Sequence, residues 1–190
     1  DTPVIAETLN GTDVQHVIIK AMEYLAVPAV VGHERFFLDY LERDFAALGL
    51  AAFRYPGLLE VHGSDARSAI LCAHADRHGL ISLGKGEYAY AAQYIKEIRY
   101  GESNRSSQKE LESLSKRFAG EPVFAYDPAT GEKLGEGVIE ICHPLMLQGE
   151  ALFYVQGMQP APQGTPVAYA RTARKENGYL RGQLDNAISL

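Results

Sequence analysis

The stretch Ser68-Ala-Ile-Leu-Cys-Ala-His74-Ala-Asp76-Arg77-His78-Gly79-Leu-Ile-Ser82 decides how the rest of the chain is interpreted. Residues 69–73 form a short apolar run between polar and glycine-containing segments, which predicts a buried strand. His74, Asp76 and His78 follow at alternate positions, so a continued extended backbone would place their side chains on one face. In an α/β domain, active sites lie at polar strand ends of this kind.

A histidine and a carboxylate at the mouth of a buried strand suit a metal site. The His74 imidazole can ligate a metal, while Asp76 can bind beside it or fix its tautomer through the second ring nitrogen. The alternative is that His74 is a hydrogen-bonded core histidine and His78 a solvated loop residue. These residues by themselves leave both interpretations open.

Composition bounds the classes of protein to which the chain can belong. It has 190 residues, 46% apolar and 22% charged, which is ordinary for a globular protein. The net charge of −6 gives no basic field for nucleic acid or anionic lipid, and no apolar run has the length of a membrane span. The start lacks the pattern of a secretory signal. Cys72 and Cys142 each lie in an apolar stretch, which predicts core residues in a reducing compartment. We therefore expect a cytoplasmic protein without nucleic-acid or membrane partners.

The first part of the chain predicts two helices and then strands. Apolar residues recur at helical spacing over 12–25 and again over about 33–48. Strands are predicted at 50–55 and 58–62, with a turn at Pro56-Gly57 between them, before the run at 69–73. This order is typical of the beginning of an α/β domain.

After Ser82 the pattern changes. The tyrosine-rich segment 88–100 predicts a packed strand face, and 107–118 predicts an amphipathic helix. Four short strands with intervening glycine turns follow, at 122–126, 137–142, 151–157 and 166–170, and Asp127-Pro-Ala-Thr-Gly131 predicts a hairpin turn between the first two. Such strands indicate a small barrel rather than further α/β units. We therefore predict an α/β catalytic domain, residues 1–82 and 169–190, interrupted by a β-rich insert at about 83–168.

Six motifs follow one another along the chain: Pro28-x-x-x-Gly32-x-Glu34, Gly57-Leu-Leu-Glu60, Ala73-His74-Ala-Asp76-x-x-Gly79, Gly120-Glu-Pro-Val123 with Gly131-x-Lys133 and Gly137-Val-Ile139, Gly164-Thr-Pro-Val167, and Gly182-x-Leu184-Asp185-Asn186. In this order they resemble the dinuclear zinc aminopeptidases of the tetrahedral (glutamyl and deblocking) aminopeptidase type, over nearly the whole chain. Arg77 departs from the family pattern, which usually has an acid there, and Asn186-Ala187 replaces the Asp-Arg of its commonest form.

The resemblance implies an α/β zinc-peptidase scaffold with a PDZ-like small β-barrel inserted. It implies that His74 ligates one metal, that Asp185 bridges two divalent ions (zinc, with cobalt as the alternative) and that Asp76 orients His74. The ions would activate a water and polarise the scissile carbonyl, so that N-terminal residues are released from peptide substrates. A large homo-oligomer, assembled partly through the insert, is also implied.

The family's general base and remaining metal ligands come later than any residue of this chain. We therefore expect an N-terminal portion that is inactive by itself and binds zinc weakly or not at all. Its incomplete sheet would leave apolar residues near Ile70, Leu71 and Leu184 exposed or paired with another copy.

Two other functions stay open. One is a non-enzymatic PDZ-like module for self-association or peptide-strand capture, with a degenerate metal site. The other is the related acyl-amino-acid deacylase and carboxypeptidase group, whose His-x-Asp and bridging Asp are usually much closer than the 111 positions between His74 and Asp185. His62 and His143 are expected to be surface or structural residues rather than ligands.

Overall fold

The computed structural model of the protein describes residues 11–63, 70, 72–92, 94–95, 113, 116–140 and 152–170. The chain divides into two units, one ending at Val27 and the other running from Pro28 to Ala170. In the described ranges, no helix has both the length and the apolar character needed to cross a membrane.

The first unit contains helix α1, Gly11–Ala26, as the helical spacing predicted. Ile18 is buried, whereas Val17 and Ile19 on either side of it are exposed. Lys20 places its Nζ 3.0 Å from Glu23 Oε2, an exposed pair one turn apart that adds little stability. The helix ends before Pro28, which cannot donate a backbone hydrogen bond.

The second unit begins with a helix and a hairpin, both predicted from the sequence. Helix α2 spans Arg35–Ala47 and buries Phe37 and Leu38. Strands β1, Ala51–Tyr55, and β2, Leu58–His62, pair antiparallel, and α2 packs against both. The turn between the two strands is the predicted one.

Six further strands close into an antiparallel barrel, which confirms the predicted small β-barrel. They are β3 Gly79–Gly84, β4 Glu87–Tyr90, β5 Pro122–Tyr126, β6 Lys133–Glu140, β7 Leu152–Gln156 and β8 Pro166–Tyr169. Their order around the barrel is β3-β4-β7-β6-β5-β8, and every neighbouring pair is antiparallel. The barrel begins at Gly79, whereas the insert was predicted to begin at residue 83. The division of the chain into an α/β domain and an insert stays a prediction.

Turn chemistry explains two of the barrel's hairpins. Lys85 and Gly86, between β3 and β4, have φ of 57° and 82°, as a two-residue turn matched to the strand twist requires. Between β5 and β6, Asp127 Oδ1 accepts hydrogen bonds from the amides of Ala129, at 2.7 Å, and Thr130, at 3.0 Å. The second turn is the one that the sequence predicted.

Adjacent residues of the barrel strands face two different clusters. The interior cluster is Leu80, Tyr88, Phe118, Val123, Ala125, Ile139, Phe153, Ala161 and Val167. The second, here called the outer cluster, is Val30, Ile81, Ala91, Tyr126 and Ala168. Because strand side chains alternate between faces, the outer cluster lies on the outside of the barrel. There, Val30 packs against side chains of the barrel strands.

Two sequence predictions are wrong in the described residues. Ile70 is 87% exposed, and Cys72 and Ala73 are exposed and outside any strand, so the run at 69–73 is not a buried strand there. An apolar run becomes a strand only when another strand pairs with it. After β2, the next described strand to find a partner is β3, which begins at Gly79. Exposure of Ile70 agrees with the expectation of uncovered apolar residues, while Leu71 and Leu184 lie outside the described residues. Cys72 is therefore not the core residue predicted, and Cys142 is not described.

The predicted strand face at 88–100 is also shorter than expected. Strand β4 ends at Tyr90, and Ala91 and Ala92 are helical, as are Tyr94 and Ile95. Alanine favours a helix, and Ala91 is fully buried in the outer cluster, where a small side chain fits. Of the predicted helix at 107–118, the described residues are helical, and Phe118 packs inside the barrel.

Candidate metal site

The loop before β3 carries the predicted site residues His74 and Asp76. Residues 72–76 have no helical or strand structure, and the loop becomes anchored at Arg77. There the Arg77 amide donates to the Ala29 carbonyl at 2.7 Å, and the Val31 amide donates to the Arg77 carbonyl at 3.1 Å. These bonds form a parallel bridge between Arg77 and Val30. The site residues therefore lie directly before a fixed point of the backbone.

His74 faces two oxygen atoms of Asp76. Its Nδ1 lies 3.0 Å from the Asp76 carbonyl oxygen and 3.4 Å from the carboxylate Oδ1. The His74 side chain is 84% exposed and that of Asp76 43% exposed. The structure thus brings two of the three predicted site residues together at the protein surface.

This geometry selects one tautomer of His74. Both neighbouring oxygens are acceptors when the carboxylate is ionised, so Nδ1 carries the proton and donates it. The lone pair is then on Nε2, the nitrogen that a metal would bind. Metal-ligating histidines usually have such an arrangement, with the other ring N–H donated to a carboxylate or carbonyl. An imidazole nitrogen held in this way fits zinc or cobalt.

His78 does not join this pair. Its Nδ1 is hydrogen-bonded to the Tyr90 hydroxyl, and the two rings stack with centroids 5.8 Å apart. The predicted common face for all three residues requires a strand that continues through 74–78, but strand β3 starts only after them, at Gly79. His78 is instead attached to β4 of the barrel.

Arg77 stands where the aminopeptidases that the sequence resembles usually have an acid. In this structure its side chain packs on an aromatic ring. Its guanidinium carbon lies 5.1 Å from the centre of the Phe37 ring on α2, a cation–π contact. The backbone of the same residue forms the bridge to Val30. Arg77 therefore connects the loop to α2 as well as to the barrel.

The predicted bridging ligand, Asp185, lies outside the described residues, as does Asn186. The convergence of His74 and Asp185 thus stays a prediction. Within the described part of the chain, no three His, Cys, Asp or Glu side chains come together to hold a metal. His62 pairs with Glu60 at 2.6 Å on the exposed hairpin, as expected for a surface histidine, and His143 is not described.

Sequence reasoning missed Tyr126 and Val30, the residues that hold the anchor of this loop. The Val30 amide donates to the Tyr126 hydroxyl at 3.0 Å, across 96 positions of sequence. A pair so distant leaves no local pattern, and a tyrosine at the end of a strand gave no signal of its role.

Comparisons with known proteins add no identification. No protein-family model matches the chain, and neither a curated protein nor a solved structure matches it significantly.

Proposed function

We propose that the chain carries part of the active site of a metal-dependent aminopeptidase, a hydrolase that releases N-terminal residues from peptides. His74 would hold one metal ion, and Asp185 would be a ligand shared by two. Asp76 acts in catalysis by orienting His74. The observation that carries the proposal is the pair of Asp76 oxygens at His74 Nδ1, at 3.0 and 3.4 Å.

The chain's own residues have distinct parts in this function. The Asp76 carbonyl accepts a hydrogen bond from Nδ1–H of His74 and the Asp76 carboxylate lies beside the same nitrogen, which would fix the ring orientation and make Nε2 a better electron donor. The carboxylate of Asp185 would offset the mutual repulsion of two cations. The ions, zinc or cobalt, supply an activated water and polarise the scissile carbonyl when bound.

The closed barrel favours this function over capture of a peptide strand. Strand addition requires an unpaired sheet edge, and each of the six described barrel strands is paired on both sides, so the barrel offers no such edge; among the described strands, unpaired edges lie on the β1–β2 hairpin. Self-association through the outside of the barrel remains compatible with closure. We include a homo-oligomer, peptide substrates and a cytoplasmic location in the proposal, as the sequence leads us to expect.

The deacylase group is the less favoured alternative. Its two motifs are usually close in sequence, whereas a complete six-stranded barrel lies between His74 and Asp185 here. An inserted barrel agrees with the aminopeptidase pattern.

The experiment is an aminopeptidase assay on aminoacyl-nitroanilides with zinc or cobalt, carried out on the full-length natural protein. We expect activity that a chelator abolishes. His74→Ala should lower it to background, while the matched control His78→Ala, in the same loop, should retain most of it. Asp76→Asn should reduce it by about 10–100-fold, the usual effect of losing a residue that orients a ligand. Equal activity of native protein and His74→Ala, or hydrolysis of acyl-amino acids in place of aminoacyl substrates, would contradict the proposal.

A further inference from the structure

Tyr126 is a buried side chain whose hydroxyl serves two backbone groups of another segment. It is fully buried in the outer cluster. Its oxygen accepts a hydrogen bond from the Val30 amide at 3.0 Å, and the hydroxyl donates to the His33 carbonyl at 3.4 Å. Burial raises the pKa of Tyr126 to about 12, so the hydroxyl keeps its proton at neutral pH. The Tyr126 hydroxyl therefore supplies hydrogen bonds from the barrel to the backbone around Val30, in addition to the packing of Val30 in the outer cluster.

The residues on either side of Val30 hold Arg77. Ala29 provides the carbonyl that accepts from the Arg77 amide, and Val31 provides the amide that donates to the Arg77 carbonyl. Val30 itself is 1% exposed and fills the space beside Gly79. Both polar backbone groups of Arg77 thus depend on the position of the residue that Tyr126 holds.

Arg77 in turn directly follows Asp76 in the chain. The Asp76 carbonyl and carboxylate are the two oxygens that face Nδ1 of His74. The Asp76 carbonyl lies in the same peptide plane as the Arg77 amide, so the hydrogen bond of that amide to Ala29 sets its direction.

We propose that Tyr126 is a positioning residue for His74. Through Val30 and Arg77 it fixes Asp76, and thereby the Nδ1–H tautomer and the ring orientation of His74. This proposal rests on the proposed function in one respect only, namely that His74 binds a metal ion. The effect on the tautomer requires neither metal nor substrate.

The test compares Tyr126→Phe with Tyr88→Phe in the metal-free chain. Both variants remove the hydroxyl of a buried barrel tyrosine, but the Tyr88 hydroxyl accepts from the Ala161 amide, at 3.5 Å, and Tyr88 lies in the interior cluster. Two quantities are measured. Amide hydrogen exchange reports on Val31 and Arg77, and long-range ¹H–¹⁵N NMR of the imidazoles gives the tautomer of His74. Neither depends on catalysis, so failure of the aminopeptidase proposal would leave this test intact.

We expect Tyr126→Phe to speed exchange of the Val31 and Arg77 amides by roughly tenfold or more, because the buried Val30 amide loses its acceptor. The His74 spectrum should move from the Nδ1–H form towards the mixture of a free imidazole. Tyr88→Phe should change neither quantity. An unchanged His74 tautomer in Tyr126→Phe would overturn the proposal even if exchange accelerates, since Tyr126 would then be structural only.

If Tyr126→Phe does not fold, the same quantities are followed in the native chain with urea below the unfolding transition. The proposal requires that the His74 tautomer and the exchange of Arg77 change together. Loss of Arg77 protection without change at His74 would overturn it.

Discussion

Arg77 and Val30 form a parallel backbone bridge, and this bridge attaches the loop of His74 to the outer face of the barrel. Val30 is fixed by the Tyr126 hydroxyl on one side and packs against Gly79 on the other. The candidate ligand His74 is therefore exposed to solvent but stands close to a buried anchor. An accessible ligand on a rigid support is what a metal site needs.

Gly79→Ala is expected to destabilise the second unit. A Cβ at Gly79 would lie 2.6 Å from Val30 Cγ2 and 2.7 Å from the Val167 carbonyl oxygen, and the carbonyl is backbone that cannot easily move. We expect a loss of about 1–3 kcal/mol in the free energy of unfolding, measured with urea. Gly63→Ala is the control, because nothing lies within 4 Å of a Cβ there. Equal stability of the two variants would contradict the close packing of Val30 on Gly79.

Tyr126 should make the protein less stable at high pH. Burial raises its folded pKa from 10.0 to about 12, so the folded state keeps a proton that the unfolded chain loses. Its contribution is full below pH 10 and falls by up to about 1.4 kcal/mol per pH unit as the pH rises towards 12. The stability difference between native protein and Tyr126→Phe should shrink over this window in urea unfolding. A constant difference from pH 9 to 11.5 would show that Tyr126 is not buried as described.

Asp127 should have the opposite dependence, at low pH. The amides of Thr130 and Ala129 hold the pKa of this carboxyl below its ordinary value of 3.8. Its stabilisation of the turn is therefore present above that value and is lost as the pH falls through the lowered folded pKa. The advantage of native protein over Asp127→Ala should decline below about pH 4. Glu132→Ala, which removes an exposed carboxylate from the same turn, controls for net charge; the same decline in both variants would refute the assignment.

Asp76→Asn should alter His74 without unfolding the protein. The substitution keeps the backbone carbonyl at 3.0 Å but replaces the carboxylate at 3.4 Å with a neutral amide. In the full-length natural protein we expect zinc affinity at His74 to fall by about 10–100-fold, with the thermal midpoint nearly unchanged because both side chains are exposed. Glu60→Gln, beside His62, is the control for removing a carboxylate next to a surface histidine. Loss of affinity in Glu60→Gln, or none in Asp76→Asn, would contradict the role of Asp76.

Local patterns predicted the elements that local chemistry determines. Helical spacing predicted α1, which ends before Pro28. The Pro56-Gly57 turn predicted the β1–β2 hairpin. The small barrel also followed from short strands and glycine turns. Asp127 caps its turn with its own side chain, so that turn could be predicted from five residues.

Relationships between distant residues could not be predicted in this way. The run at 69–73 had the composition of a buried strand, but composition cannot show whether a partner strand is present. Strand pairing in the barrel instead begins at Gly79, where Val167 on β8 and Val30 lie close. For the site, the His74–Asp76 pair was predicted from adjacent residues, whereas the support from Tyr126 depends on a contact across 96 positions.

The central claim is that His74 binds a divalent metal through Nε2 together with Asp185. The most direct test is a zinc titration of the ¹⁵N-labelled full-length natural protein, followed at each histidine ring by NMR, in the native protein and in its Asp185→Asn variant. We predict that zinc shifts the His74 Nε2 resonance before those of His62 and His78, and that Asp185→Asn weakens this response. A response of His74 that does not differ from that of His62, or one that Asp185→Asn leaves unchanged, would contradict the account.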